Sequence, residues 1–77
     1  MALIRKFTKK TMDRNQVHGE ITATYSVFHW DDRTLLQIDS YGSKARKIPG
    51  KKSQTFQLDE QGASALFQIL KKEFGFS

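Results

Sequence analysis

Two aromatic side chains and an arginine stand close together in the first half of the chain. Phe28 and Trp30 lie two residues apart, and Arg33 follows after the pair Asp31-Asp32. An aromatic ring offers a stacking surface to any nucleobase, and an arginine beside it can hold a phosphate. These residue types favour contact with an unpaired nucleic-acid strand, provided that the backbone brings the three side chains to one surface.

Positive charge is concentrated in two segments on either side of this group. The formal net charge is +5. Residues 1–19 and 42–53 are strongly basic, whereas residues 20–41 between them are mildly acidic. Basic loops beside exposed aromatic residues suggest a polyanion partner, although solvation alone would explain basic loops about as well. The basic residues of the second segment are Lys44, Arg46, Lys47, Lys51 and Lys52.

The aromatic pair and the arginine fall within a predicted hairpin formed by Ile21 to Tyr41. Its first arm alternates with the period of two that a strand requires. If Asp31-Asp32 is a two-residue turn, Trp30 lies opposite Arg33 and the whole register is fixed. One side, the helix face, is predicted to carry Tyr25, Val27, Leu36 and Ile38. The other side, the open face, carries Thr24, Ser26, Phe28, Trp30, Arg33, Leu35, Gln37 and Asp39, with Tyr41 at its far end.

The rest of the chain supplies two more strands and a helix. Ala2 to Thr8 is a candidate short strand, Lys9 to Gly19 a connector, and Gln54 to Leu58 the last strand. Asp59 is a good N-cap for a helix that Gly75 ends. The apolar stripe of this helix, predicted to pack over the helix face and over Phe56, consists of Ala63, Leu66, Phe67, Leu70 and Phe74, with Ile69 on its flank. The predicted fold is α+β, with the order ββββα.

The sequence offers little for catalysis or metal binding. It contains no cysteine, and neither His18 nor His29 has a second histidine or a carboxylate at a metal-ligating spacing. The run from Gly50 to Ser53 precedes a strand, whereas a Walker-type phosphate loop follows a strand and opens a helix. We therefore expect no enzymatic activity, no catalytic residue, no metal and no small-molecule cofactor.

Length and composition indicate one domain, residues 1–77, with a thin core of its own. A chain this small buries only about 60% of the surface that its unfolded form exposes, so a homodimer is expected. The lack of cysteine and of any long apolar run predicts a soluble cytoplasmic protein that neither spans nor binds a membrane.

Three stretches carry a family resemblance: Leu36-Gln37-Ile38-Asp39-Ser40-Tyr41, Pro49-Gly50-Lys51-Lys52-Ser53 and Phe56-Gln57-Leu58-Asp59-Glu60. They are similar to three parts of the single-stranded-DNA-binding domain of the transcriptional coactivator positive cofactor four and its bacterial relatives. Those parts are a strand ending in an acidic residue and tyrosine, a Pro-Gly followed by two basic residues, and the entry into the helix. Trp30 and Arg33 fall where that family carries an aromatic residue and a lysine. The chain is also similar to small uncharacterised bacterial and mobile-element proteins.

The resemblance implies a four-stranded curved antiparallel sheet backed by one helix, with dimerisation through the helices and adjacent strands. It also implies that single-stranded nucleic acid, DNA rather than RNA, crosses the paired sheets without sequence specificity. On that basis Trp30 stacks on bases, while Arg33, Lys51 and Lys52 hold phosphates. From the residues alone, Phe28 and Tyr41 are further stacking candidates, and the other cations of residues 42–53 add charge.

A second hypothesis remains open from the sequence: a small dimeric adaptor that docks a protein through its open sheet face or an exposed sheet edge. Asp39 stands where the family has an arginine, and Gly42 where it has a second aromatic residue. Acidic groups on the open face and in the turn would repel a phosphate backbone, which favours the adaptor. For Phe28 and Leu35 a purely structural role is also open, in which the dimer partner or the N-terminal strand buries them.

Overall fold

The structure is a computed structural model that describes residues 1–41 and 54–77. Four strands form one sheet, followed by a helix: β1 (Ala2–Ile4), β2 (Thr22–Trp30), β3 (Arg33–Tyr41), β4 (Gln54–Leu58) and α1 (Glu60–Phe74). The order across the sheet is β1-β4-β3-β2. The predicted α+β class and the ββββα order are therefore confirmed.

The β2–β3 hairpin has the register that the sequence predicts. Trp30 pairs with Arg33, Phe28 with Leu35, and the antiparallel ladder continues to Thr22 and Tyr41. Asp31 and Asp32 have φ angles of 49° and 61°. Positive φ at both central residues defines the type I′ geometry, whose twist matches that of the flanking strands. The two-residue turn thus fixes which side chains share a face.

The sheet is mixed, which corrects the all-antiparallel arrangement that the resemblance implies. β3 runs antiparallel to both β2 and β4, but β1 runs parallel to β4, with Ala2 opposite Phe56 and Ile4 opposite Leu58. The first strand also ends at Ile4 rather than at Thr8. Hydrophobic alternation carries no information about strand direction, so the sequence could not distinguish the two pairings.

Helix α1 begins and ends at the residues that the sequence predicts. The Asp59 side chain accepts a hydrogen bond from the backbone N–H of Gly62 at 2.8 Å, and Gly75 ends the helix with φ of 72°. Glu60 lies in the first turn, and Lys71 and Lys72 in the last, where each charge is favoured by the helix dipole. Local chemistry alone therefore sets the limits of this helix.

The start of the helix is fastened to the N-terminal strand. Arg5 Nε lies 2.9 Å from Asp59 Oδ2, and the same guanidinium donates to Gln61 Oε1 at 3.3 Å. Gly62 is buried against the backbone of Ile4, whose carbonyl oxygen occupies the space that a Cβ at position 62 would need. Strand β1 therefore ends one residue before the side chain that contacts the helix terminus.

Stability is expected to depend on pH through Asp59. The hydrogen bond from Gly62 N–H, and then the charge of Arg5, hold the pKa of the Asp59 carboxyl below its ordinary value of 3.8, although burial opposes them. This contribution is fully present above pH 3.8 and is lost as the pH falls through the lower folded-state pKa. Asp59→Asn should therefore be less stable than the parent at neutral pH, and the difference should vanish in acid. Urea unfolding across that range measures it; a difference independent of pH would contradict the assignment.

Helix α1 covers only part of the sheet. Leu36 and Leu58 line a depression together with Ala63 of the helix, so the helix lies on the helix face, against β3 and β4. Over β2, however, Tyr25 is 75% and Val27 is 55% exposed. A helix about 10 Å wide spans roughly two strands spaced about 4.8 Å apart. The expectation that the stripe covers Tyr25 and Val27 is therefore wrong for a single chain.

Several apolar side chains of the helix also remain exposed. They are Phe67, Ile69 and Phe74, and beyond the helix Phe76, whose ring stacks on that of Phe74 with centroids 5.5 Å apart. Within the two described ranges, no helix combines the length and apolar character that a membrane crossing requires.

Candidate nucleic-acid interface

The open face gathers three of the predicted site residues at the turn end of the hairpin. Trp30 is 62% exposed and is the cross-strand partner of Arg33. Phe28 and both of these residues line one shallow depression of about 300 Å³. Its other described lining residues are Leu3, Leu35 and Gln57. A ring, a cation and an apolar floor thus meet on a surface that the helix does not cover.

Phe28 contributes less free surface than Trp30. It is half-buried, and its partner Leu35 is only 5% exposed. Leu3, the register neighbour of Gln57 on β1, lines the same depression. Phe28 and Leu35 therefore form the wall and floor of the depression, beside the N-terminal strand, and Trp30 carries most of the exposed aromatic surface.

Tyr41 lies on the open face at the opposite end of the hairpin. Its hydroxyl is 3.2 Å from Thr24 Oγ1, and the residue is half-buried. Tyr41 lies eight residue steps along extended β3 from Arg33, or roughly 26 Å at about 3.3 Å per residue. Trp30 and Tyr41 could therefore contact different nucleotides of one strand but not the same base.

A row of hydrogen-bonded polar side chains crosses the open face between these two ends. Gln57 Nε2 donates to Gln37 Oε1 at 3.0 Å, and Gln37 Nε2 donates to both carboxylate oxygens of Asp39 at 3.3 and 3.2 Å. Thr55 Oγ1 donates to Asp39 Oδ1 at 2.7 Å. The sequence alone indicated no role for Gln37, Thr55 or Gln57. The parity of β3 and β4 put them on one face, but only the β3–β4 register brings them together.

Asp39 is not the exposed acid that the sequence analysis assumed. It is 6% exposed, and its carboxylate accepts hydrogen bonds from Thr55 and Gln37. Hydrogen bonds of this kind stabilise the carboxylate within the sheet and occupy its oxygens. The expectation that Asp39 presents its charge outward to a phosphate backbone is therefore wrong, whereas Asp31 and Asp32 in the turn are exposed as expected.

The remaining predicted phosphate contacts lie outside the described residues. They are Lys44, Arg46, Lys47, Lys51 and Lys52, in the segment that joins Tyr41 to Gln54. Their contribution to the interface stays a prediction from sequence.

A larger depression, of about 870 Å³, opens on the helix side of the sheet, between the hairpin turn and the start of α1. Arg33 lines it, but so do the acidic residues Asp32, Asp59 and Glu60, a mixture that disfavours a phosphate. The part of the chain that the structure describes contains no group of three or more histidine or acidic side chains that could hold a metal ion.

No protein-family model, curated protein or solved structure matches the chain. The observations that bear on a nucleic-acid interface are the geometry of the open face, the charge of the sequence and the resemblance carried by its three stretches.

Proposed function

We propose that the protein binds single-stranded nucleic acid and has no catalytic activity. The observation that carries the proposal is the position of Trp30, a residue that is 62% exposed on the open face and lies beside Arg33. Stacking on such a ring is largely indifferent to sequence, because every base has a π-face. The resemblance to positive cofactor four favours DNA over RNA.

The charge distribution supports the same proposal. Among the described residues, the open face carries one cation, Arg33, at the turn end of the hairpin. The basic segment 42–53 follows Tyr41 in sequence, and Tyr41 lies at the opposite end of the hairpin. A strand of nucleotides along the open face would lead from one cationic end to the other. Asp39 is 6% exposed and its oxygens accept from Gln37 and Thr55, so it presents little carboxylate surface to that path.

We further propose that the binding unit is a homodimer. The helix face leaves Tyr25 and Val27 exposed over β2, and α1 leaves Phe67 and Phe74 exposed beside it. Large exposed apolar side chains are typical of interaction sites, and a second copy would supply the burial that the chain alone lacks. Sedimentation equilibrium measures the mass: a monomer at micromolar concentration would refute the homodimer while leaving the open face available.

The response to salt tests the proposed function. The association constant for a labelled oligonucleotide, measured by fluorescence anisotropy, should fall log-linearly with salt, with a slope of about 0.7 for each phosphate neutralised. Reversing two charges, Lys51→Glu with Lys52→Glu, should weaken binding at least tenfold and flatten the slope by about 1 or more.

The matched control reverses two lysines away from the open face, Lys71→Glu with Lys72→Glu, in the last turn of α1. This variant has the same net charge as Lys51→Glu with Lys52→Glu, so the two differ only in the position of the reversed lysines. We expect the Lys71/Lys72 variant to bind the oligonucleotide much more tightly than the Lys51/Lys52 variant. Equal weakening would mean that only overall charge is sensed. Absence of binding by the parent at about 50 mM salt would refute the proposal.

The alternative is a dimeric adaptor that docks a protein. The exposed acids Asp31 and Asp32, in the turn beside the open face, favour it, because they would repel a phosphate backbone but not a protein partner. Docking through apolar surface should be nearly insensitive to salt, so the same titration separates the two functions.

A further inference from the structure

The polar row on the open face has a fixed direction. An ionised carboxylate only accepts hydrogen bonds, so Asp39 requires Gln37 to turn its amide nitrogen toward it. Gln37 must then present its carbonyl oxygen to the neighbouring strand, where Gln57 Nε2 donates to it at 3.0 Å. The orientation of the Gln57 amide is therefore set by the Asp39 carboxylate, which acts through Gln37. A glutamine without these neighbours would have no preferred orientation of its amide.

One amide edge is left over at the end of this row. The carbonyl oxygen of Gln57 accepts no hydrogen bond from the residues that the structure describes, and Nε2 has used only one of its two hydrogens. Gln57 is half-buried and lines the depression that Phe28, Trp30 and Arg33 also line. A fixed acceptor oxygen and one donor N–H of Gln57 thus lie beside the proposed stacking ring.

We infer that Gln57 selects among the bases that stack on Trp30, favouring cytosine and adenine over uracil, thymine and guanine. This inference rests on the proposed function. Cytosine and adenine each present an exocyclic amino donor next to a ring-nitrogen acceptor, which match the free oxygen and the free N–H of Gln57. Phe28 and Trp30 supply stacking, and Gln57 supplies the preference.

The disfavoured bases present the inverse pattern in the same position. Uracil, stacked where cytosine would stack, directs a carbonyl oxygen at the oxygen of Gln57 and an N–H at its N–H. Because Gln37 and Asp39 hold the amide, Gln57 cannot turn over to accommodate uracil without breaking the row. Guanine differs from adenine in the same way. An amide free to rotate would accept either pattern, so the preference depends on the row.

The test compares oligomers of deoxycytidine and deoxyuridine, whose bases have the same ring size and differ at this edge. Fluorescence anisotropy at one low salt concentration should give about fivefold tighter binding of the cytosine oligomer by the parent. Gln57→Met, which keeps the length of the side chain, should bring the two affinities to within about twofold. The control Gln54→Met, on the same strand but the opposite face, should keep the parent preference.

Asp39→Asn tests the positioning role of the carboxylate. An amide at position 39 can donate or accept, so it no longer fixes the direction of the row, and the preference should fall although Gln57 is intact. Loss of folding alone would lower both affinities together and leave their ratio unchanged.

The outcomes separate the inference from the function on which it rests. If the parent binds neither oligomer, the proposed function fails. If it binds both equally, or if Gln57→Met keeps the preference, nucleic-acid binding stands and the role of Gln57 is refuted.

Discussion

Replacing Trp30 by alanine is expected to weaken the binding of single-stranded oligonucleotides by about 5- to 150-fold, because a lost stacking ring costs about 1 to 3 kcal/mol per base. The ring is exposed, so its removal should leave the folded structure intact. Arg33, its cross-strand neighbour, would still attract phosphate. We therefore expect residual binding with an unchanged salt dependence, measured by fluorescence anisotropy at several salt concentrations.

The matched control for this variant is Phe76→Ala. Phe76 is also an exposed aromatic residue, but it follows the C-terminal end of α1 and stacks on Phe74 rather than lining the open face. Its removal should leave affinity within about twofold of the parent. If Trp30→Ala binds as tightly as the parent, the stacking site on the open face does not exist.

The second large effect is expected at Gly62. A methyl group there would collide with the carbonyl oxygen of Ile4, which is backbone and cannot rotate away. Intrinsic helix propensity favours alanine over glycine by about 1 kcal/mol, so it opposes the predicted direction. Overpacking costs about 1 to 3 kcal/mol or more, and each kcal/mol lowers the melting temperature of a domain this small by about 4 to 8 °C. Gly62→Ala should therefore melt several degrees below the parent, or fail to fold.

The control is the same substitution at Gly19, where an added Cβ meets no atom within 4 Å. Gly19→Ala should melt within about 2 °C of the parent. If Gly62→Ala is as stable as the parent, β1 does not pack against the helix as described. Circular dichroism melts of the three proteins decide the point.

The hairpin and the helix could be predicted from sequence because local chemistry determines each of them. A two-residue turn at Asp31-Asp32 admits one register, so every cross-strand pair from Trp30–Arg33 onward followed from it. Asp59 and Gly75 are capping residues whose preferred positions lie at the ends of a helix, which fixed the limits of α1.

The parallel pairing of β1 and the extent of helix coverage could not be predicted in this way. β1 is held by contacts distant in sequence: its pairing with β4, the ion pair of Arg5 with Asp59, and the close approach of Ile4 to Gly62. Periodicity shows which face of a helix is apolar, but it does not give the number of strands that one helix can cover. Tyr25 and Val27 are exposed because the width of the helix spans only about two strands.

Part of the candidate site could likewise be predicted from local sequence, and part could not. Trp30 and Arg33 adjoin one turn, so their proximity followed from the hairpin alone. The row from Gln57 to Asp39 requires the alignment of β4 with β3, two strands separated by the long basic segment 42–53, and no local signal fixes that alignment. The sequence alone therefore predicted that Asp39 is an exposed acid without hydrogen-bond partners on β4.

The parallel pairing of β1 with β4 has a consequence for the order in which the protein folds. β2 and β3 are joined by two residues and can form their hairpin within microseconds. Ala2–Ile4, in contrast, can pair only after Phe56–Leu58, near the other end of the chain, has been positioned. During synthesis the first strand leaves the ribosome long before its neighbour exists. Closing so large a loop is slow and entropically costly, so the docking of β1 is expected to be the last step of folding and its release the first step of unfolding.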